Sequence, residues 1–362
     1  MNYYIHVPFC RSKCGYCAFY SEVCNDEQLI ESYLKKLISD MAVAPLPRAH
    51  TVYIGGGTPT LLSSSQLVRL LDAVQHYLSP LPGCEISVES NPETLTHDKI
   101  SILKEHITRI SLGVQSFDSN LRKTLGRKCS DSALKNALSL IRNAEFDHFN
   151  CDLIYAVPGE SMAQWKNDLD MVVSSGVDHV SCYNLTCEEQ SLLGGTFIID
   201  DDMAKEMYDM AQSCLCCSGI ERYEISNYAV HGSECRHNIN VWKGQQLISF
   251  GPAAAGFDGV ARIINIEETN KWLAGEQPET DILSAEARCR EIFAVNLRTV
   301  NGWNKKIWDE AGFAVSWTEM HKIFTSAMES VPEEFYIIDR QSVRLSSTGL
   351  LYWNDIAERV IL

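Results

Sequence analysis

The sequence predicts an α/β protein in which a partial (β/α)6 barrel of the TIM type is followed by a smaller α+β domain with a winged-helix-like end. Six short apolar, β-branched runs recur in the first half, periodic helical segments separate them, and the pattern changes after about residue 230. Strand–helix alternation favours right-handed βαβ units, so the strands should be parallel. An open, doubly wound sheet would produce the same alternation and remains an alternative.

Each element is predicted from the period of its apolar residues. The six predicted strands are YYIH at 3–6, TVYI at 51–54, EISVE at 85–89, RISLG at 109–113, FNCDLIY at 149–155 and HVSCYN at 179–184. Helices are predicted at 26–42, 63–78, 131–143 and 161–175. The final stretch, VRLSSTGLLYWNDIAERVIL, predicts a short strand, a turn and an amphipathic helix. We expect domain boundaries that divide the chain into 1–232, 233–285 and 286–362.

Composition limits the function classes. The 362 residues carry 31 Lys and Arg against 47 Asp and Glu, and this net charge of −16 argues against a nucleic-acid partner. No apolar run reaches the roughly 20 residues of a membrane helix. The start, MNYYIHVPFC, lacks a signal-peptide pattern, which predicts a cytoplasmic protein.

Most of the 14 cysteines are expected to be reduced thiols. Core packing is the expected role of Cys84, Cys151, Cys182, Cys187 and Cys289. The adjacent thiols Cys214, Cys216 and Cys217 could bind metal or oxidise, but the sequence nearby offers no histidine or second pair to complete a site.

Three further cysteines form a spaced motif, C-x3-C-x2-C, at Cys10, Cys14 and Cys17. Three thiolates on one short loop can hold three irons of a [4Fe–4S] cube and leave the fourth iron open for a small molecule. A zinc loop is the alternative, but zinc takes four ligands, and the next cysteine, Cys24, has no partner at finger spacing. The motif therefore predicts an open cluster.

At these residues the sequence resembles the radical S-adenosylmethionine (SAM) superfamily, in which SAM binds the open iron. The longer stretches YIHVPFCRSKCGYCAFY, YIGGGTPT, SVESNPETLT, RISLGVQSFD, DLIYAVPGES and YEISNYA resemble the oxygen-independent coproporphyrinogen III oxidase family, and within it the branch of haem chaperones called HemW. The resemblance covers nearly the whole chain. It implies a barrel of the radical SAM type at 1–232, a connecting segment with an HNxxYW-like motif at 233–285, and a HemN-like C-terminal domain at 286–362.

The resemblance also implies reductive cleavage of SAM to a 5′-deoxyadenosyl radical, an electron donor for the cluster, and a homodimer. It implies that Gly56 and Glu89 contact the iron-bound SAM. It also implies that Gly57 and Thr58 face a second SAM molecule. The other implied SAM residues are Tyr4 and Tyr16, and Gln115, Arg127 and Asp152 at the second molecule. These residues could instead have structural roles. The glycines could form a tight turn, the tyrosines could pack in the core, and Arg127 and Asp152 could form a salt bridge.

The segment CRHNINVW carries the candidate haem ligand, His237, because neutral imidazole is a preferred axial ligand of haem iron. Trp242 lies close enough in sequence to pack a macrocycle. Near the cluster, His6 is expected to support the ligands. The chain departs from the family pattern at Val241 (tyrosine in the family), and Cys129 and Ala255 both stand in place of histidine.

Three features favour the chaperone branch over the decarboxylating oxidases. Phe19 stands where the oxidases have a fourth cysteine, Cys10 leaves no room for their N-terminal extension, and HNINVW follows the chaperone pattern. The first hypothesis is therefore a SAM-binding iron–sulfur protein that captures haem and passes it to acceptor apoproteins. Radical decarboxylation of a porphyrinogen is the enzymatic alternative, and a metal-stabilised interaction protein without SAM is a third class.

Overall fold

The fold was analysed in a computed structural model, which describes residues 1–43, 46–186, 191, 193 and 200–362. The strands are β1 (Asn2–Val7), β2 (Phe9–Cys10), β3 (Glu22–Val23), β4 (Thr51–Gly56), β5 (Glu85–Ser90), β6 (Arg109–Gln115), β7 (His148–Tyr155), β8 (His179–Asn184), β9 (Glu221–Arg222), β10 (Asn227–Ala229), β11 (Leu247–Phe250), β12 (Ala255–Phe257), β13 (Ala261–Ile264), β14 (Glu279–Ile282), β15 (Trp303–Asn304), β16 (Tyr336–Ile338) and β17 (Ser342–Leu345).

The helices alternate with these strands in the first half of the chain and predominate in the last part. They are α1 (Glu27–Ala42), α2 (Ser64–Tyr77), α3 (His97–His106), α4 (Ser119–Thr124), α5 (Asp131–Ala144), α6 (Met162–Ser174), α7 (Asp201–Cys216), α8 (Arg236–Trp242), α9 (Thr269–Leu273), α10 (Ala285–Asn296), α11 (Lys305–Ala311), α12 (Trp317–Ala327), α13 (Ser347–Leu351) and α14 (Trp353–Ile361).

One large sheet organises the molecule, in the order β14-β13-β12-β11-β1-β4-β5-β6-β7-β8-β10-β9. The strands from β11 through β8 are parallel, and the outer strands on both sides are antiparallel. The six predicted strands are β1 and β4 to β8, and they lie in chain order without the reversal of a doubly wound sheet. The predicted partial barrel is confirmed, and in the described residues no hydrogen bonds join its two edges.

Side-chain caps explain where the barrel helices begin. The side chains of Ser63 before α2 and Ser161 before α6 each accept a hydrogen bond from the backbone N–H of the third helical residue, a glutamine, whose side-chain oxygen accepts one from the backbone N–H of the serine. These reciprocal bonds satisfy N–H groups that a helix start otherwise leaves without partners. The four predicted helices correspond to α1, α2, α5 and α6, with ends within one residue of the prediction.

A second hydrophobic core lies in the last part of the chain. Phe293 on α10 packs against Trp303, Trp308 and Phe324, all of which are buried. A three-stranded antiparallel sheet, in the order β15-β17-β16, completes this region. The predicted strand, turn and terminal helix are β17 followed by α13 and α14, which agrees with the winged-helix-like ending.

The sequence missed strand β11, which pairs in parallel with β1 although 240 residues separate Leu247 from Val7. The expected core thiols are buried at Cys84, Cys151, Cys182 and Cys289, while Cys187 lies outside the described residues. No helix in the described ranges is long and apolar enough to cross a membrane.

Candidate metal and cofactor site

The three spaced cysteines lie on the loop that leaves β1, at the carboxyl end of the parallel strands. Cys10 ends β2, which pairs with β3, so both ends of the loop are anchored. The middle of the loop is held by the N–H of Gly15, which donates to the carbonyl of Leu125 at 2.9 Å. Cys10, Cys14 and Cys17 are free thiols, each partly exposed.

The donor set suits a cluster better than a single ion. No group of three His, Cys, Asp or Glu side chains in the described part of the chain is gathered tightly enough to hold one metal ion, and this includes the three cysteines. The three cysteines are nevertheless close to one another. Burial raises the pKa of Cys17 most, and the nearby thiolates of Cys14 and Cys10 raise it further. Burial also raises the pKa of Cys10. Three separated thiols on one loop fit three corners of an iron–sulfur cube.

Hydrogen bonds link two of the cysteine sulfurs through three polar side chains. The Thr58 hydroxyl lies 3.4 Å from Cys10 Sγ and accepts a bond from Asn91 Nδ2 at 2.7 Å. Arg127 donates to Asn91 Oδ1 at 2.6 Å and to Cys14 Sγ at 3.6 Å. Because an arginine can only donate, Asn91 must point its oxygen at Arg127 and its NH2 at Thr58. The Thr58 hydroxyl hydrogen is thereby left for Cys10.

The three glycines at the end of β4, Gly55 to Gly57, are required for three different reasons. A Cβ at Gly55 would lie 2.7 Å from a Glu89 carboxylate oxygen, and one at Gly57 would lie 2.7 Å from the Phe9 carbonyl oxygen. Gly56 has φ +106°, and a Cβ there would meet the His6 ring at 2.6 Å. The turn therefore brings backbone against the cysteine loop and against Glu89 more closely than any side chain would allow.

Glu89, near the end of β5, is positioned by two donors. Tyr53 donates to Oε1 at 2.8 Å and the N–H of Gly56 donates to Oε2 at 3.0 Å. Burial raises the pKa of Glu89 to about 7, with a further contribution from Asp152, and the two hydrogen bonds oppose the shift. The carboxyl is thus poised to exchange a proton near neutral pH or to receive polar groups of a ligand.

Gln115 and Asp152 lie on the next two strands. Gln115 is buried at φ +69°, beside an irregularity in the pairing of β6 with β7. Asp152 accepts hydrogen bonds from Asn150 at 2.8 Å and from Ser111 at 3.1 Å, and burial raises its pKa. The alternative salt bridge between Asp152 and Arg127 is not formed: Arg127 donates instead to Asn91, Cys14 and the backbone.

The aromatic residues near the cysteines differ in their surroundings. Tyr4 donates to His6 Nδ1 at 3.0 Å, because His6 Nε2 must carry the proton it gives to the Tyr20 carbonyl. Burial lowers the pKa of His6 to about 4, so this ring is neutral and supports the glycine turn from below. Tyr16 packs against a small apolar cluster that includes Leu125, and burial raises its pKa.

His237 lies at the opposite end of the barrel from the cysteines. Its Nδ1 is 2.8 Å from the hydroxyl of Thr51, at the start of β4, and its N–H donates to Glu85, at the start of β5. Strand β4 separates Thr51 from the glycine turn by ~16 Å. Helix α8 therefore closes the floor of the barrel, with His237 only 4% exposed and its pKa lowered by burial to about 3.

Haem does not fit against His237 in this conformation, because the imidazole faces the barrel interior beneath α8. The neighbouring cavity, lined by Val241, Trp242 and Phe257 among others, has a volume of about 190 Å³. That is below the 300–1,000 Å³ of typical sites for drug-sized ligands. A larger cavity of about 570 Å³ lies beside Lys243, but His237 lines neither of the two. The Trp242 ring instead lies under the Arg298 guanidinium, 4.8 Å away.

The two remaining departures from the family pattern, Cys129 and Ala255, differ in burial. Cys129 is buried and contacts the Ser130 carbonyl, whereas Ala255 is exposed on β12. Cys216 and Cys217 are exposed and Cys214 is partly buried.

The structure thus gathers every predicted site residue except His237 around one end of the parallel sheet. Sequence reasoning missed Asn91, although it lies within the stretch SVESNPETLT, where an Asn-Pro pair directly after a strand was an available signal. It also missed Thr51 and Glu85, whose positions at strand starts carried no signal of their own.

Comparisons with known proteins agree with this geometry. A sequence model described as the Radical SAM superfamily matches residues 4–172. A Bacillus subtilis protein named heme chaperone HemW is 30% identical over 98% of this chain and 97% of its own length. Proteins of the same name from Mycobacterium tuberculosis and Escherichia coli are 36% and 34% identical, covering 74% and 71% of this chain and 72% and 70% of their own.

Among solved structures, coproporphyrinogen III oxidase (HemN) from Escherichia coli aligns with a TM-score of 0.84 at 18% identity. The alignment covers 99% of this chain and 89% of that one. At this identity the likeness shows a shared fold.

Proposed function

The chain belongs to the HemW family within the radical SAM superfamily, and from this premise we propose that it binds haem and delivers it to acceptor apoproteins. The observation that carries the proposal is similarity to a protein named heme chaperone HemW over 98% of the chain. The loop of three free cysteines supports it, because the loop lies within residues 4–172, which match the Radical SAM superfamily model.

We propose that Cys10, Cys14 and Cys17 hold three irons of a [4Fe–4S] cluster. When bound, the cluster would supply an open iron and one-electron chemistry. The contribution of this chain would be to donate hydrogen bonds to two of the three sulfurs, from Thr58 and from Arg127. Such bonds stabilise negative charge on sulfur and therefore suit thiolate ligands.

SAM would bind beside the cysteine loop. We propose that Gly56 and Glu89 contact its first molecule, because the glycine turn admits close approach and the Glu89 carboxyl accepts polar hydrogens. Tyr4 and Tyr16 would line the same region. The implied second molecule would be contacted by Gly57, Thr58, Gln115, Arg127 and Asp152.

We still propose His237 as the haem ligand. Because it is buried on α8 at the barrel end opposite the cysteines, the helix would have to move before haem could bind. The imidazole becomes available only when α8 leaves Thr51 and Glu85, so haem capture would involve displacement of this seven-residue helix. Two cavities lie next to the segment, one of about 190 Å³ beside Val241 and one of about 570 Å³ beside Lys243, and both are lined by Gly244. These cavities give α8 space into which it can move.

A haem titration followed by the Soret band tests the proposal. Wild type should bind haem with a slow phase that reflects displacement of α8, and His237→Ala should weaken binding at least tenfold. His231→Ala, at a fully exposed histidine on the loop that precedes α8, is the matched control and should leave affinity unchanged. Equal affinity of wild type and His237→Ala would remove His237 from this role, and no haem binding by wild type would refute the function.

The enzymatic alternative rests on the fold shared with coproporphyrinogen III oxidase. Anaerobic incubation with SAM, a reductant and coproporphyrinogen III separates the two functions, and we expect no decarboxylated porphyrinogen. Accumulation of that product would favour the oxidase instead. The divisions at 1–232, 233–285 and 286–362, the homodimer and the cytoplasmic location stay predictions.

A further inference from the structure

Helix α8, which carries His237, is held at both ends by charged side chains. At its start, the backbone N–H groups of Arg236 and His237 donate to the two oxygens of Glu85, at 3.1 and 2.8 Å. At its end, Trp242 is 9% exposed, and the centre of its ring lies 4.8 Å from the Arg298 guanidinium. The first anchor belongs to the barrel, and the second belongs to the last part of the chain.

Arg298 contacts two indole rings and a buried carboxylate. It follows α10, and its guanidinium lies 5.2 Å from the ring centre of Trp353, the first residue of α14. Its Nε donates to Glu224 Oε2 at 2.9 Å, and Glu224 is fully buried. A cation close to the face of an aromatic ring is attracted by the ring quadrupole, and the attraction grows when water is excluded. The guanidinium therefore ties Trp242 to the second hydrophobic core, against which Trp353 packs.

Glu224 holds the guanidinium in one place. Its other oxygen, Oε1, accepts hydrogen bonds from the Ser226 N–H at 2.8 Å and from Asn227 Nδ2 at 2.5 Å. Its backbone also pairs with that of Thr299 in an antiparallel bridge. Because these bonds fix the carboxylate and the backbone next to Arg298, the arginine is a rigid support for the end of α8.

The backbone on either side of α8 is suited to act as a hinge. Gly232 and Gly244 have φ +90° and +70°, in the region that favours glycine. Hinges are formed by a few loop residues that absorb changes in backbone angles, and these residues are often small. The segment between the two glycines, residues 233–243, contains the whole of α8. The helix can therefore move as a unit once its two anchors are released.

We propose that Arg298 is a positioning residue for haem binding: it holds Trp242, keeps α8 closed over the barrel floor, and so sets how often His237 becomes available. This inference rests on the proposed function of His237 as the haem ligand. Because binding requires the open position of α8, the observed affinity for haem should be proportional to the fraction of molecules in which α8 is open. Weakening the contact between Arg298 and Trp242 should therefore increase both the rate of haem uptake and the affinity.

The test uses two variants that separate the cation from the buried ion pair. Glu224→Gln/Arg298→Met removes both charges, so that no buried carboxylate is left without its partner. Arg298→Lys keeps a cation that can lie against Trp242, and it should restore the wild-type behaviour. Arg340→Met, at an exposed arginine of the same part of the chain, is the matched control. All proteins are the full chain, purified without oxygen.

Amide hydrogen exchange, followed by mass spectrometry without haem, measures the opening of α8 directly. Peptides from residues 236–242 should exchange at least tenfold faster in the double variant, within threefold of wild type in Arg298→Lys, and at the wild-type rate in Arg340→Met. Peptides from β1 and β4 should exchange at the wild-type rate in every variant, which shows that the barrel stays folded. Unchanged exchange of α8 in the double variant would contradict the proposal. Equally fast exchange in β1 and β4 would also contradict it, because Arg298 would then stabilise the whole fold.

A stopped-flow assay of the Soret band connects this opening to haem. The double variant should take up haem at least fivefold faster than wild type, and Arg298→Lys should stay within twofold of wild type. Faster exchange of α8 without faster haem uptake would overturn the role of Arg298 in haem binding. If wild type binds no haem, the proposed function fails, but the exchange experiment still tests whether Arg298 holds α8 closed.

Discussion

Replacing Asn91 by alanine removes the centre of the chain of hydrogen bonds that joins Cys10 to Cys14. Asn91 accepts from Arg127 at 2.6 Å and donates to Thr58 at 2.7 Å. Arg127 is buried and its Nε already lacks a partner, so the loss would leave a buried cation with another unsatisfied donor. A bond to a charged group contributes about 1.5–3 kcal/mol and a neutral one about 0.5–1.5 kcal/mol, so the free energy of unfolding should fall by about 2–4.5 kcal/mol.

Two assays follow from the same variant. Urea unfolding of the cluster-free, reduced protein measures the change in stability. A redox titration monitored by EPR measures the reduction potential of the cluster. The reduced state should be less stabilised when the side chains that donate to Cys10 and Cys14 are free to rotate. A loss of ~1 kcal/mol lowers a one-electron potential by ~40 mV.

Asn143→Ala, at an exposed position of α5, is the matched control and should change neither quantity. The reasoning is refuted if Asn91→Ala unfolds at the wild-type urea concentration and its cluster keeps the wild-type potential. A destabilised variant with an unchanged potential would limit Asn91 to a structural role.

Three further changes test other parts of the site. In Gly57→Ala the new methyl would meet the Phe9 carbonyl, so we expect a stability loss of about 1–3 kcal/mol in urea unfolding and a smaller iron content. Glu85→Gln weakens the anchor of α8 and should speed haem uptake at His237 in a Soret stopped-flow assay, and an unchanged rate would contradict the displacement of α8. The folded pKa of Glu89 is raised to about 7, so its ionisation opposes folding: this destabilisation is present above pH 7 and absent below about 4.5. The unfolding free energy of wild type relative to Glu89→Gln should therefore fall as pH rises from 5 to 8, and a constant difference would contradict the assignment.

The parts of the site that depend on short spacing could be predicted from the sequence. The three cysteines, the glycine turn and the six parallel strands each have a local signal: ligand spacing, a run of residues without Cβ, or an apolar run of strand length. The edge that carries the site followed from the rule that parallel strands place ligands at their carboxyl ends.

The parts that depend on distant contacts could not be predicted. Asn91 joins Thr58 to Arg127 across 33 and 36 residues, and no pattern in the sequence indicates that these side chains meet. His237 shows the same limit more strongly. The resemblance to a family motif predicted that His237 is a haem ligand. Its location, however, is fixed by hydrogen bonds to Thr51, 186 residues away, and to Glu85, 152 residues away.

The most direct test of the account concerns the three cysteines themselves. Protein purified without oxygen should contain about four irons and four sulfides per chain, and its reduced EPR spectrum should change when SAM is added, because the small molecule completes the open corner. Cys14→Ser should lose both properties. Zinc in place of iron, or a cluster spectrum that SAM does not alter, would contradict the claim that three cysteines hold an incompletely ligated cluster.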